Sequence, residues 1–345
     1  MPADNGLSTI HDNPTLRVAI IVPILNEGKT LPRLLTSIAS QDYPLALLEV
    51  IIVDGGSSDD WEECLRAVPI PEARITILSN PKRVVPAAVN QAIRSTDAPA
   101  VLWISGHCIL APDYVSSLAR EFMRRDNVAV GGRLLVEGEG ISGRLNAMVL
   151  MSPIGTGLAP WRWNDRPGWA RSVNFAMFSR ETLLAMGGLD ERLVRNQDND
   201  LIRRLRDRGV RFYQVASTVT YLAPQSLSGL WRRAWGNASW TVWSWKLGVP
   251  SAQWYHLAPM VALLIGGLLC VGSVVSSTSA YILIGLIGSY AILLFGHTIL
   301  VAVRGGPLWT IPILPIHLAI FHTTYGLGGW VALIRPVPQQ YASRT

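Results

Sequence analysis

Hydrophobic residues in the first part of the chain occur in short runs that alternate with amphipathic stretches. The runs RVAIIVPI (17–24), LEVIIVDGG (48–56) and PAVLWIS (99–105) are typical of buried strands. Between them, KTLPRLLTSIASQ (29–41) and AAVNQAIRST (87–96) have helical spacing. This alternation over about 100 residues predicts a parallel sheet with helices on both faces.

The following part of the chain has a less regular pattern. Residues 131–180 are rich in glycine, proline and tryptophan and show weak periodicity. SRETLLAMGGLDERL (179–193) then predicts a helix, a glycine stop and a turn. NDLIRRLRDRGVRFYQV (199–215) predicts an arginine-rich helix, a glycine C-cap and a strand.

The chain becomes strongly apolar after residue 224. LWRRAWGNASWTVWSWK (230–246) combines tryptophans with cations, a composition typical of helices at a membrane interface. An ordinary core helix with surface cations is the alternative. Residues 257–275, 281–303 and about 308–334 contain no charged side chain, and each is long enough to cross a bilayer. The third contains Pro312, Pro315, His317 and His322, so it could be kinked, re-entrant or lining a cavity.

The distribution of charge agrees with membrane attachment. The net charge is +6, and no acidic residue follows Asp207. Such asymmetry suggests contact with an anionic surface, although membrane segments lack acids in any case. Residues 1–16 are polar and show no secretory signal, and Arg304 follows the second apolar segment. Together these features predict that the first domain faces the cytoplasm.

Two function classes receive little support. The arginines of residues 192–211 are interleaved with Asp198, Asp200 and Asp207, so they form no clean basic face for nucleic acid. Three scattered cysteines predict neither a disulfide framework nor a zinc site. Cys108 beside His107 could ligate a metal, but a buried structural thiol is the simpler reading.

Polar residues follow three of the predicted strands. Asn26, Asp54 and the tripeptide Ser105–His107 stand where these strands end. Ligands of open α/β sheets bind at the carboxyl ends of the strands. The topology therefore predicts one site at this edge.

Several motifs together resemble the family 2 glycosyltransferases of GT-A fold. They include VPILNEGKTLPRLLTSI with LEVIIVDGGSSDD, then NPKRVVPAAVNQAI and GHCILAPDYV, then GGLDERLVRNQDNDLIRRLRDRG and HTTYGLGGW. Their order is similar to that of the succinoglycan-type branch, which comprises membrane-attached transferases of exopolysaccharide synthesis. The resemblance implies an α/β, Rossmann-like mixed sheet followed by an interfacial helix and transmembrane helices.

The resemblance also implies a division of the chain. A polar tail (1–16) precedes a catalytic domain (17–224), a Trp/Arg-rich interfacial region (225–250) and a membrane domain (251–335). A second tail (336–345) follows.

The resemblance assigns roles to residues of the first half. It implies that Asp54 accepts a hydrogen bond from uracil and that Glu27 contacts the ribose. Gly55 and Gly56 would let the backbone approach the nucleotide, and Asn90, with Lys82 and Arg83, would lie near the base and phosphates. A turn role for Asp54, a plain surface Glu27 and a solubilising role for the last group remain alternatives.

Transfer with inversion requires a base that deprotonates the acceptor hydroxyl. The family places this base in an acidic pair that opens a helix, which here reads Gln197-Asp198. Asp198 is therefore the candidate and Asp200 the second choice. Carboxylates stabilised by the helix dipole are the structural alternative, and Arg203 and Arg204 would pair with acids on the same helix.

The leaving diphosphate must be neutralised by a metal or by cations. Where family 2 enzymes show Asp-x-Asp, and this branch Asp-x-His, the chain has Ser105 and His107. It therefore predicts a weakly bound divalent ion, Mn²⁺ rather than Mg²⁺, held at His107. Arg232, Arg233 and Trp235 match the family's late Arg-Trp region, which holds the diphosphate and acceptor, although its expected residues at Gln225 and Ala234 are absent.

Together these features predict an inverting glycosyltransferase of the cytoplasmic membrane. It would move a sugar from a UDP-sugar to a lipid-linked saccharide, beside other polysaccharide-assembly proteins. Ser105 motivates the alternative, a catalytically impaired membrane scaffold that binds nucleotide-sugar or a partner enzyme.

Overall fold

The computed structural model describes residues 15–157, 162, 165–249 and 254–338. Most of the two predicted polar tails, 1–16 and 336–345, lies outside these residues. The division of the chain into domains stays a prediction.

A mixed sheet organises the first two thirds of the described chain. Its strands run in the order β3-β2-β1-β4-β8-β6-β9-β5, and β7 pairs with β9. Pairing is parallel among β1 to β4 and between β6 and β9, whereas β8, β5 and β7 pair antiparallel. The strands are β1 (Val18–Ile24), β2 (Leu48–Asp54), β3 (Arg74–Ser79), β4 (Ala100–Trp103), β5 (Cys108–Leu110), β6 (Val128–Glu137), β7 (Gly168–Ala170), β8 (Asn174–Ser179) and β9 (Arg211–Leu222).

Helices cover both faces of this sheet, as the apolar strands predict. Ile20 and its neighbours of the same parity pack on one face with α1 and α4, and Ile21 packs on the other with α3 and α8. Side chains of β1 therefore alternate between two cores. The helices are α1 (Leu31–Ala39), α2 (Trp61–Ala67), α3 (Val85–Ser95), α4 (Tyr114–Met123), α5 (Gly140–Met151), α6 (Pro153–Thr156), α7 (Arg180–Ala185) and α8 (Gln197–Asp207).

The weakly periodic region 131–180 contributes β8, β7 and most of β6 to the sheet. Gly131 and Gly132 interrupt the apolar pattern of β6, but both are needed there. A Cβ at Gly132 would lie 2.4 Å from Tyr114 Cε2 and 2.6 Å from the Ser217 carbonyl oxygen. The pattern was weak because these glycines accommodate close neighbours in place of apolar side chains.

The predicted Trp/Arg-rich helix and the three apolar segments are all helical. They form α9 (Leu227–Lys246), α10 (Ala258–Gly272), α11 (Ser277–Val303) and α12 (Leu314–Ile334). Tyr255–Gly272 and Ser277–Val303 are long and apolar enough to cross a membrane, and most of their residues are not buried by protein. Exposed apolar surface of this extent is typical of lipid-facing helices.

The third segment has different surroundings. Helix α12 packs against α9, α10, α11 and α5, and half of its length is buried. Its proline residues lie at or before the first turn, so they begin the helix and do not kink it. Only α10, with its preceding turn, and α11 meet the length and composition expected of a membrane span among the described residues.

Glycines of α12 set its distance from its neighbours. A Cβ at Gly326 would lie 2.7 Å from the Pro259 carbonyl oxygen, and one at Gly328 would lie 3.0 Å from the Trp235 carbonyl oxygen. Backbone atoms cannot move aside as a flexible side chain can. The glycines therefore allow α12 to contact α10 and α9 directly.

We predict that Gly326→Ala destabilises the protein by about 1–3 kcal/mol, because the added methyl group overpacks the α12–α10 contact. Gly288→Ala in α11 is the matched control, since a Cβ there would meet nothing within 4 Å. It should be neutral or slightly stabilising, because alanine favours helix. Thermal unfolding in detergent measures both variants, and equal unfolding temperatures would contradict the packing argument.

Candidate functional site

The site begins at the edge where β1, β2 and β4 end. Ile24 stands opposite Asp54 in the parallel register. The loops that follow are joined, because Asn26 N donates to Ser57 Oγ (2.9 Å) and Ser58 N donates to Asn26 Oδ1 (2.8 Å). Asn26 adopts a left-handed φ of 57°, which asparagine tolerates better than most residues. The predicted convergence of these strand ends is therefore observed.

Asp54 shapes the turn after β2. Its Oδ1 accepts hydrogen bonds from Ser57 N (3.0 Å) and Ser57 Oγ (2.6 Å), whereas Oδ2 has no partner among the described residues. Gly56 needs its φ of 81°, and Gly55 lies against the Ile24 carbonyl oxygen. The turn role of Asp54 is thus real, and it leaves one carboxylate oxygen for a ligand.

Glu27 and His107 form a pair at the same edge. Glu27 Oε1 lies 2.8 Å from His107 Nδ1, and Glu27 Oε2 accepts from Thr30 Oγ1 at 2.7 Å. Burial raises the pKa of Glu27, but the hydrogen bond and charge of His107 and the bond from Thr30 outweigh it and lower this pKa. A Cβ at Gly106 would crowd Glu27 Cβ at 3.1 Å. The geometry makes Glu27 a positioning group for His107, whereas the predicted ribose contact stays a prediction.

His107 is connected to helix α9 through Tyr221 of β9. The rings of His107 and Tyr221 meet edge to face at 4.6 Å between centroids. Arg233 of α9 donates from a terminal guanidinium nitrogen to the Tyr221 hydroxyl, and its Cζ lies 4.9 Å from the Tyr221 ring centroid. The predicted residues His107 and Arg233 therefore belong to one contact chain, which the sequence did not reveal because Tyr221 carries no motif.

Asp198 lies in the first turn of α8, on the side of Arg233. Helix α8 begins at a left-handed Asn196, whose Nδ2 contacts Thr241 Oγ1 of α9 at 3.4 Å. The Asp198 side chain is accessible to solvent, although many protein atoms surround its carboxyl group. Burial raises its pKa, while bonds from backbone N–H groups and the charges of Arg233 and Arg162 act in the opposite sense. A carboxylate of raised pKa is suited to accept a proton.

Asp200 faces the opposite way. It is 1% exposed and receives hydrogen bonds from Arg203 NH2 (2.9 Å) and Arg204 Nε (2.7 Å). Arg204 also donates to the Gly188 carbonyl oxygen, so the ion pair joins α8 to the preceding turn. Asp200 therefore has a structural role. This corrects the prediction that Asp200 is the second candidate for the base.

Two arginines that the sequence did not single out lie beside Asp198. Arg195, just before α8, donates from NH1 to Asn237 Oδ1 at 2.9 Å. Arg162 donates to the Leu150 carbonyl oxygen. Burial, and after it the charge of Arg233, lowers the pKa of both, that of Arg162 to about 10. Arg162 lies outside the quoted motifs, and the motif that contains Arg195 assigns it no role, so only the fold brings them to the site.

Asn90, Lys82 and Arg83, which were predicted to lie together near the base and phosphates, have different surroundings in the structure. Asn90 is buried, its Nδ2 donates to the Leu189 carbonyl oxygen, and its Oδ1 accepts from Leu189 N, both at 2.8 Å. It therefore holds the turn before α8, which corrects the expected nucleotide contact. Lys82 pairs with Glu191 at 2.5 Å. Arg83 is exposed on a loop in which Asn80 N–H donates to the Asp54 carbonyl oxygen. Arg83 therefore lies near the sheet edge at Asp54.

The other residues of the late Arg-Trp region lie on different sides of α9. Arg232 is exposed and has no partner among the described residues, and Trp235 is half-buried against Gly328 of α12. The Trp231 and Trp235 rings stack at 6.5 Å, as their spacing predicts. Of this region, Arg233 alone contacts the site through a described hydrogen bond.

The residues present do not fit a protein-held divalent metal. No group of three potential ligands from His, Cys, Asp and Glu exists among the described residues. His107 Nδ1 and both Glu27 oxygens are already engaged. Cys108 is fully buried, which raises its pKa, so it is the structural thiol. The described residues therefore form no complete metal-binding group, and a divalent ion held at His107 stays a prediction.

Comparison with known proteins places this architecture in a family. Residues 19–185 match the family model described as glycosyl transferase family 2. The succinoglycan biosynthesis protein ExoA of Rhizobium meliloti is 28% identical over 209 residues, which cover 60% of this chain and 63% of that protein. A dolichyl N-acetyl-α-D-glucosaminyl phosphate glucuronosyltransferase of Methanococcus voltae is 22% identical over 59% of this chain and 65% of its own length. The chain thus spans just under two thirds of these relatives.

Among solved structures, a mannosyltransferase of Pyrobaculum calidifontis in complex with GDP-mannose and Mn²⁺ shares the fold. It aligns over 90% of this chain and 88% of its own, with a TM-score of 0.60 and 20% identity. The predicted GT-A sheet followed by apolar helices is confirmed. The family match over residues 19–185, the mixed sheet and the exopolysaccharide-type relative together support a family 2 glycosyltransferase.

Proposed function

We propose that the protein is an inverting hexosyltransferase that moves a sugar from a UDP-sugar to a lipid-linked saccharide. The observation that carries this proposal is the position of Asp198, in the first turn of α8 and near the charges of Arg233 and Arg162, in a chain with a GT-A sheet. A catalytically impaired scaffold would not require a carboxylate of raised pKa at the position of Asp198. The intact surroundings of Asp198 favour the enzyme.

The residues would divide the reaction as follows. Asp198 accepts the proton of the acceptor hydroxyl as its oxygen attacks the anomeric carbon of the donor sugar. The bond between that carbon and the diphosphate oxygen breaks, and the nucleoside diphosphate leaves with the electron pair on the opposite face. Asp54, through Oδ2, and the backbone at Gly55 and Gly56 would hold the nucleotide. No step is assigned to a metal.

The membrane helices support a lipid-linked acceptor. Helices α10 and α11 present apolar surface, and Arg304 directly follows α11. The Methanococcus voltae relative is named for transfer to a dolichyl-phosphate-linked sugar, and the Rhizobium meliloti relative for succinoglycan biosynthesis. We place the protein in the cytoplasmic membrane, with its site on the cytoplasmic side, in exopolysaccharide or envelope glycan synthesis. Neighbouring assembly proteins would be its partners.

The direct test is sugar transfer by purified full-length protein, with a panel of UDP- and GDP-sugars and polyprenyl-diphosphate saccharides. We expect UDP-sugars to be used and Asp198→Asn to lower kcat by about 10²–10⁴-fold, because the base is lost. Asp200→Asn should instead lower stability by about 3 kcal/mol, because two arginines lose their buried partner.

Product mass measures sugar transfer and thermal unfolding measures stability. The two measurements therefore distinguish the effect of Asp198→Asn from that of Asp200→Asn. Absence of transfer from every donor would contradict the proposed function. Full activity of Asp198→Asn would contradict only the assignment of the base, and use of GDP-sugars alone would contradict the role of Asp54.

The pH profile provides an independent check. Asp198 must be ionised to accept a proton, and its pKa is raised above the ordinary 3.8. Activity should therefore fall as the pH drops through this raised pKa. The acid limb of kcat/KM measures the effect. A limb at or below the ordinary aspartate value would exclude Asp198 as the titrating group.

Ser105→Asp tests whether the missing carboxylate limits metal binding. Ser105 is half-buried two residues before His107, so an aspartate would add a ligand at this edge. We expect Mn²⁺ affinity in the presence of UDP to rise by about tenfold or more, measured by titration calorimetry. Ser105→Asn, of similar size but neutral, should leave it unchanged. Equal affinity in all three proteins would mean that Ser105 lies elsewhere than at a metal position.

A further inference from the structure

Three guanidinium groups meet around Tyr221 and Asp198, although they come from separate parts of the chain. We propose that Arg162, Arg195 and Arg233 together bind a diphosphate group and neutralise its charge, a role otherwise open to a divalent metal. This inference rests on the proposed function and adds its diphosphate-binding residues. We call these residues the arginine cluster.

The cluster is held by contacts from different elements. Arg233 is fixed by the hydroxyl and ring of Tyr221. Arg195 donates to Asn237 Oδ1 and lies so close to α9 that a Cβ at Gly236 would be 2.9 Å from its Nε. Arg162 donates to the Leu150 carbonyl oxygen at the end of α5. These contacts fix the side chains before any ligand binds, as preorganised recognition requires.

The three groups also influence one another. The charge of Arg233 lowers the pKa of Arg162 and of Arg195, in addition to the larger effect of burial. The charges of Arg233 and Arg162 act on Asp198 in turn. Arg233 therefore lies within electrostatic reach of Arg162, Arg195 and Asp198, and Arg162 also lies within reach of Asp198.

The balance of charge in this cleft is uneven. Arg162 and Arg233, both half-buried, act on the carboxylate of Asp198, and the half-buried Arg195 lies near Arg233, whereas Asp200 is engaged on the other side of α8. Holding like charges together in partly desolvated surroundings costs free energy unless an anion compensates them. In addition, Arg233 Nε is buried and has no hydrogen-bond partner among the described residues. The cluster thus suits a ligand with more than one negative charge.

A diphosphate has the right charge and geometry. A guanidinium group offers planar, paired donors that match phosphate oxygens and stays charged at neutral pH. The cluster lies beside the proposed base, where the leaving group of a sugar transfer develops its charge. The same chemistry occurs in the diphosphate of a polyprenyl-linked acceptor, so the two sources need separate tests.

The segment that carries Arg162 is attached to the membrane helices. Ser152 Oγ lies 2.9 Å from His297 Nε2 of α11, and the Ile154 carbonyl oxygen lies 2.8 Å from His322 Nε2 of α12. Thr156 Oγ1 donates to the same Leu150 carbonyl oxygen as Arg162. The Leu150 carbonyl oxygen that accepts from Arg162 therefore lies close along the chain to residues that contact α11 and α12.

Binding of UDP, UMP and a polyprenyl diphosphate to full-length protein in detergent, with EDTA present, tests the proposal. Wild type should prefer UDP to UMP without added metal. Arg162→Gln, Arg195→Gln and Arg233→Gln should each weaken UDP binding by about ten- to hundredfold and reduce this preference. Arg120→Gln, an exposed position on α4, is the matched control and should bind as wild type. Lysine variants keep the charge and should retain part of the affinity.

The outcomes separate the sources of the diphosphate. Loss of UDP binding assigns the cluster to the donor, and loss of polyprenyl diphosphate binding with UDP binding retained assigns it to the acceptor. Unchanged binding of both ligands in variants that unfold at the wild-type temperature would overturn the proposal. So would UDP binding by wild type that requires Mn²⁺. Because no turnover is measured, a failure of sugar transfer would contradict the proposed function without affecting this result.

Discussion

The contact between Tyr221 and Arg233 connects the parts of the molecule on which the site depends. Tyr221 belongs to the sheet and touches His107, which is paired with Glu27 at the nucleotide edge. Arg233 belongs to α9, which packs along α12. A hydrogen bond and a cation–π contact thus join the mixed sheet to α9, and through α9 to the apolar helices.

Close helix packing extends this connection toward the membrane. Gly328 lets α12 contact the backbone of Trp235, two residues after Arg233, and Gly326 lets it contact α10. On the other side, His297 and His322 hold the segment that leads to Arg162. The apolar helices therefore contact both elements that carry arginines to the cleft. An acceptor carried by a lipid would reach a site whose cations are positioned from the membrane side.

Helix α8 shows how environment separates two carboxylates of one sequence motif. Asp198 and Asp200 are two positions apart, so they point to different sides of the helix. Asp200 is neutralised by two arginines and supports the turn that Asn90 also holds. Asp198 lies in the cleft, where burial raises its pKa. Position on the helix, and not residue type, gives one a structural and the other a chemical role.

The sequence by itself determined the strands β1, β2 and β4, the helices between them, the edge where Asp54 and His107 meet, and the apolar C-terminal helices. These features follow from local periodicity and from the rule that parallel strands end together. Tertiary structure decided which polar groups are available. The motifs gave Asn90 and Asp200 a role at the site but both are engaged internally, whereas they gave Arg162 and Arg195 none and both lie at the site. Local sequence specifies backbone conformation, but the partners of a side chain come from residues distant in the chain, and only the folded packing brings them together.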